Sequence, residues 1–554
     1  MFLDLRSHSP ASATSDRTGS YSIATCALLT LFLGACGGGG GGNGFAANPG
    51  GGGGSGGGGG SGGGGGSGTG FTSGVFLPAT SFQAQCAVPR AANAPNGPWP
   101  DVQGTTTDEN NFLRSYSNDT YLWYDEIVDR DPSMFSTPEY FDLLITTELT
   151  PSGNFKDNFH FSIDTNEWIA LSQSGASGGY GLQFAVLESA PPRRIVVAFT
   201  EPNTPATSAP ANLARGAEIL MVDGVDVVNG ADVDTINGAL FPAADGETHS
   251  FTVRDLGSQT ERNFSMTSGT FVATPVQNVM TIPTATGDVG YLLFNDHIAT
   301  AEEGLVDAIN QLDAANVSDL IVDLRYNGGG FLTLAAEFAF MVAGSGPTAG
   351  RTFELLQFND KHPTTDPVTG RAIAPVPFYD VAQGFSVAAG TALPTLDLQR
   401  VFVLTGSGTC SASEAIINGL RGANVEVIQI GSTTCGKPYG FYPTDNCGTT
   451  YFTIQFRGVN DQNFGDYADG FSPANTSGTA GVSLPGCSVA DDFGALLGDP
   501  TEARLAAALQ YRSDGTCPSP SGFSGGTVRA LEARVDAEAV LPKSPWRENR
   551  ILQR

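Results

Sequence analysis

An α/β core, interrupted by a β-rich module and preceded by a helical region, is the fold class this sequence predicts. Strand-like apolar runs alternate with helical periodicity from about residue 286 to 515. Short β-runs and turns fill about 175–270, and apolar residues at helical spacing occupy about 106–170. At 554 residues the chain is also too long for one ordinary core.

In chain order, the first element is the apolar stretch Ser22 to Cys36, "SIATCALLTLFLGAC", which has signal-peptide length and is too short for an ordinary membrane span. Its end, Leu33-Gly34-Ala35-Cys36, resembles the lipobox of bacterial lipoproteins. The resemblance implies a signal peptide over 1–36, a lipid on Cys36 and a cell-envelope protein held to a membrane by that lipid. Gly37, where inner-membrane retention would ask for Asp, favours the outer membrane. Residues 37–75 are almost pure glycine and serine and read as a flexible linker with a reach of about 35 Å.

The formal net charge of -29 argues against nucleic acid or an anionic membrane surface as partner. None of the eight cysteines has zinc-ribbon or C-x-x-C spacing, so no metal is expected. With Cys26 removed and Cys36 lipidated, six remain: Cys86, Cys410, Cys435, Cys447, Cys487 and Cys517. An even count in an oxidising compartment predicts up to three disulfides, with the pairing open.

Residues 76–174 form the N-terminal helical region, with "NNFLRSYSNDTYLWYDEIV" and "TPEYFDLLITTEL" as its helical segments. The aromatic stripe Tyr121, Leu122, Trp123 and Tyr124 is read as core packing. Residues 175–271 hold the β-runs "GGYGLQFAV", "RRIVVAFT" and "GAEILMVDGVDV". A short helix, a Gly turn, a strand and an Asp-Gly hairpin are expected over Pro205 to Val228. This region resembles a PDZ domain. Tyr180, Gly181, Leu182, Gln183 and Phe184 stand where that family keeps its carboxylate-binding loop, which implies partners with free C-termini.

Residues 272–520 supply the α/β core and three polar loops, each following a strand-like run. "DLRYNGGGF" (Asp323 to Phe331) ends in three glycines that free backbone N–H groups for an oxyanion. "TCSASEAIINGL" opens a helix, where Ser411 and Glu414 fit a capping box. "GSTTCGKPYGF" carries Lys437, one of only four lysines. The three in this order resemble the carboxy-terminal processing, or tail-specific, proteases, over about residues 106–515.

That resemblance implies a ClpP/crotonase-like protease core with an inserted PDZ-like domain, and a serine endopeptidase needing no cofactor. Ser411 becomes the nucleophile, Lys437 the general base, and Ala412 with Gly328 or Gly329 the oxyanion hole. Two positions depart from the family pattern: Phe441 stands where many relatives have Gln, and Gly422 where others are acidic. His297 offers a Ser–His alternative. A non-catalytic peptide-binding lipoprotein on the same fold is the competing function, and a related acyl-processing enzyme a third. The tail, 521–554, carries the helical pattern "VRALEARVDAEAV" and is placed outside the core.

Overall fold

The uninterrupted apolar runs of the 272–520 region become a six-stranded sheet in the computed structural model, which describes residues 71–150, 152–518 and 550–551. The signal segment, Cys36, most of the glycine linker and the helical pattern of the tail lie outside the described residues. The sheet order is Val276–Ile282, Val289–Phe294, Asp319–Asp323, Arg400–Thr405, Glu426–Gly431 and Gly486–Ser488. Its first pair is antiparallel and every other pair parallel.

Every residue of Val289–Phe294 and Asp319–Asp323 is buried, as expected of parallel strands covered on both faces. Leu292, Phe294, Leu320 and Val322 pack with the helices Ala301–Ala314, Leu332–Ala343 and Ala412–Gly422. Tyr291, Leu293, Ile321, Leu404 and Ile430 meet Leu505, Ala507 and Ala508 of Ala503–Asp514 on the other face. Leu332–Ala343 is buried all round except at Thr333. Truncating a side chain there, such as Phe338, costs about 3–5 kcal/mol.

This register decides where the chemistry sits. Asp319–Asp323, Arg400–Thr405 and Glu426–Gly431 are parallel neighbours, with Asp323 opposite Leu404 and Thr405 opposite Gly431. The three polar loops therefore leave the sheet side by side at its carboxyl ends, where open α/β sheets place their sites.

The β-rich module folds around its own core, including Phe184, Val197, Ile219, Ile236 and Phe251. Ala176–Ser177 pairs with Phe271–Val272 at its stem. Its main strands run Glu261–Thr267, Thr248–Arg254, Glu218–Val222, Arg194–Thr200 and Leu182–Glu188, all antiparallel. Leu182–Glu188 ends that path, and Val233–Leu240 packs beside it through Tyr180 to Ala239 and Phe184 to Phe241. The short helix expected after Pro205 is replaced by turns. Pro205 and Pro210 lack the N–H donors a helix there would use.

The N-terminal region is less helical than its periodicity predicts. Thr106–Thr120 and Thr137–Asp142 form, but both stop early. Tyr121 turns extended, its hydroxyl bonded to Asp157, and Leu122 N–H donates to Ile454 O. Tertiary partners thus outbid helix continuation at the aromatic stripe. Tyr121 is fully buried, and Leu122, Trp123 and Tyr124 pack against the main core. The six cysteines pair as Cys86–Cys447, Cys410–Cys435 and Cys487–Cys517.

Candidate active site

Ser411 is the N-cap of the Ala412–Gly422 helix, at φ 60° and ψ -111°. A non-glycine residue held there costs on the order of 1–3 kcal/mol. A sharp strand-to-helix turn of this kind presents the nucleophilic serine in α/β-hydrolases. Its neighbours hold it in place. Cys410 N–H donates to Asn327 O at 3.1 Å, Thr409 Oγ1 donates to Leu324 O at 2.7 Å, and Cys435 N–H donates to Thr409 O at 3.0 Å.

Glu414 does more than close its half of the capping box. Its fully buried carboxylate accepts the N–H groups of Ser411 (3.0 Å) and Lys437 (2.8 Å) on one oxygen. The other oxygen takes Gly436 N–H at 2.9 Å and the Thr434 hydroxyl at 2.5 Å. Burial raises this carboxyl above its ordinary value, against hydrogen bonds that favour the charged form. The Cys410–Cys435 disulfide adds a covalent tie between the same two loops. Ser411 and Lys437, distant in sequence, are thereby fixed to one side chain.

Lys437 is fully buried. Its Nζ lies 4.3 Å from the ring centre of Phe159 and 4.6 Å from that of Phe441. The residue before it must be glycine: Gly436 has φ 83°, and a Cβ there would sit 2.2 Å from Ala468 O.

The Gly loop faces this pair. Asn327 organises it, donating through Nδ2 to Phe294 O and accepting Gly329 N–H on Oδ1 at 2.9 Å. Gly329 N–H is therefore engaged within the loop, which leaves Gly328, of the two glycines expected, beside Ala412 as the oxyanion candidate. Ser413 donates to Asn327 O at 3.0 Å, so the second serine of the motif braces the loop. His297 does the same from the other side. Its Nδ1 pairs with Asn327 Oδ1, and its backbone bonds Gly329 and Phe331. Burial lowers its pKa to about 3, against those hydrogen bonds, so it is neutral at ordinary pH. These contacts give His297 a bracing role under the Gly loop.

Beneath the loop lies an ionic cluster that sequence reasoning missed. Arg325, fully buried, binds Asp323, Asp491 and Glu502. Burial raises Asp491, but Arg215 and Arg325 outweigh it and hold the carboxyl well below its usual range. Arg215, from the β-rich module, donates to Ala198 O, Tyr326 Oη and Asp491, so the module is joined to the Gly loop by charge. The signal was present in "DLRYNGGG", whose Asp and Arg precede the glycines; their partners, over 160 residues further on, were not identifiable. Of the sequence-derived PDZ-type residues, Tyr180 and Phe184 are buried in the module's core, with Gly181 (φ 75°), Leu182 and Gln183 at the start of the terminal strand. They lie apart from Ser411 in the chain's second core.

Residues 288–443 match the family described as Peptidase family S41. A carboxyl-terminal-processing protease of Picosynechococcus sp. is 27% identical over 172 residues, covering 31% of this chain. That alignment spans 40% of the relative's own length. Among solved structures, a putative S41 protease from Bacteroides fragilis NCTC 9343 aligns at a TM-score of 0.55 and 21% identity, over 76% of this chain and 99% of that one, a likeness of fold. A photosystem II D1 C-terminal processing protease aligns at a TM-score of 0.39 and 17% identity, over 69% of this chain and 94% of that one. Over residues 288–443, which bring together the Gly loop, the strained Ser411 turn and Lys437, the chain carries a domain of peptidase family S41.

Proposed function

We propose that this protein is a serine endopeptidase in which Ser411 and Lys437 form the catalytic dyad. The observation that carries this reading is the shared Glu414 oxygen, which fixes the strained serine turn and the buried lysine loop together inside the S41 domain.

A serine hydroxyl needs a base, and a lysine serves only as the neutral amine, the form that burial favours. Neutral Lys437 takes the Ser411 Oγ proton as Oγ bonds the substrate carbonyl carbon. Gly328 and Ala412 N–H groups receive the oxyanion, and losing one such donor typically costs about 100–1,000-fold. Collapse breaks the C–N bond, and the lysine ammonium gives its proton to the leaving amine. Water, deprotonated by the same lysine, then attacks the acyl carbon; the C–Oγ bond breaks, the acid leaves, and the lysine ammonium returns its proton to Ser411 Oγ.

The β-rich module reads as a PDZ-like clamp for the substrate's C-terminus. A peptide adds as a strand beside Leu182–Glu188, facing Val233–Leu240, with its carboxylate near Gly181 and Leu182. A lipid on Cys36 and the glycine linker complete the reading as an envelope lipoprotein.

A serine-directed fluorophosphonate probe tests the dyad. Wild type should label and cleave, Ser411→Ala should do neither, and Lys437→Met should fold yet fail to cleave. Ser413→Ala should keep part of the activity, since that side chain only braces the loop. Folded wild type that neither labels nor cleaves would leave the competing reading, a peptide-binding protein on this fold. Amidating a peptide's C-terminus should weaken its binding to the module in calorimetry. Cys36→Ser should release the protein from membranes.

A further inference from the structure

Two residues from the far end of the chain sit at the site. Arg550–Ile551 forms a strand parallel to Gly330–Phe331, with Arg550 opposite Gly330 and Ile551 opposite Phe331. On its other side Ile551 bridges Phe441, again in parallel. The segment is therefore the middle strand between the Gly loop and the stretch that follows Lys437. Gly330 lies two residues after Gly328, the glycine proposed for the oxyanion hole, and Phe441 is one of the two rings against Lys437 Nζ. Ile551 is 2% exposed and belongs to the same apolar cluster as Phe331 and Phe441.

An extended chain bonded to the Gly loop is what a peptide substrate must become if its carbonyl is to reach the Gly328 and Ala412 N–H groups. The apolar position between Phe331 and Phe441 would hold one aliphatic side chain of that peptide. We propose that this groove is the substrate's strand-addition site, with an aliphatic subsite between Phe331 and Phe441, and that the protein's own C-terminal segment is its resident occupant. Because the segment belongs to the same chain, its local concentration does not fall on dilution. Substrates must displace it, so the tail restrains the enzyme in cis. The proposal rests on the peptidase reading for its consequence, but the groove can be tested by binding alone.

The test uses full-length protein carrying Ile551→Asp, with a chain ending at Asn549 as the second variant should the first misfold. Removing the aliphatic anchor should lower KM for a fluorogenic peptide by about tenfold, with kcat little changed. A labelled octapeptide of sequence RENRILQR should bind the Ile551→Asp, Ser411→Ala protein in fluorescence anisotropy and wild type weakly. The same peptide with Asp at the isoleucine should not bind. Unchanged KM in both variants, or no octapeptide binding to the opened groove, overturns the proposal while leaving the peptidase reading intact. If no form of the protein cleaves or labels, the peptidase reading fails, and anisotropy still decides the groove.

Discussion

The Gly loop and the Ser411–Lys437 side lie against each other at one end of the sheet but are held by different chemistry. Under the Gly loop, Arg325 binds Asp323, Asp491 and Glu502, and Arg215 shares Asp491, charges stable in the interior only as a set. On the other side a lone carboxylate, Glu414, is satisfied by three backbone amides and a hydroxyl, and a disulfide does the rest. The first arrangement joins distant parts of the chain and fails as a whole. The second is local and can be loosened one bond at a time.

The largest expected effect breaks the ionic side. Arg325→Met takes the cation from buried Asp323 and Glu502 and leaves Asp491 to Arg215 alone, and should cost about 3–5 kcal/mol in denaturant unfolding or leave the protein insoluble. Stability within 1 kcal/mol of wild type would mean the cluster is not the support described. On the other side, replacing Cys410 and Cys435 by serine opens a loop whose ends are 25 residues apart, worth about 3 kcal/mol. The double variant should still fold, because Glu414 still bridges the loops, and its cleavage rate should fall much further than its melting temperature.

The pH dependence sharpens the contrast. His297 has a folded pKa near 3, below its unfolded value of 6.5, so the unfolded chain takes the proton first. Its contribution is complete above pH 6.5 and is lost as pH falls toward 3, on the order of 2 kcal/mol by pH 5. His297→Gln should flatten that limb of a stability–pH profile. The smallest effect has the opposite sign. Ser411→Gly relieves a positive φ and should stabilise by about 1 kcal/mol while abolishing activity, a trade expected where strain serves function. A destabilised Ser411→Gly protein would show that the turn is relaxed.

Much of this was legible in the sequence because parallel strands buried on both faces leave unbroken apolar runs, and "DLIVDL", "RVFVLTG" and "VEVIQIG" each end in a polar loop. Neighbouring strands then had to bring Gly328, Ser411 and Lys437 to one edge. The double duty of Glu414 was not legible, since a capping box reads the same whether or not its carboxylate also binds a loop 22 residues on. The sequence leaves Gly328 and Gly329 equivalent because nothing in "NGGG" shows that Asn327 folds back onto Gly329. The helices of the N-terminal region were overextended because periodicity cannot anticipate a distant acceptor such as Ile454 O. Cysteine pairing was equally silent: the three bridges span 361, 25 and 30 residues, and spacing favours none of them.

The longest of those bridges has a consequence for how such a chain withstands proteolysis. Cys86–Cys447 closes a ring that contains the β-rich module, the Gly loop, Ser411 and Lys437. A single cut anywhere inside the ring opens it without releasing a fragment, and the sheet can hold both new ends in register. Nicked protein should therefore run as one species on a non-reducing gel and as two after reduction. A chain closed in this way stays whole, in this mechanical sense, long after its backbone has been severed.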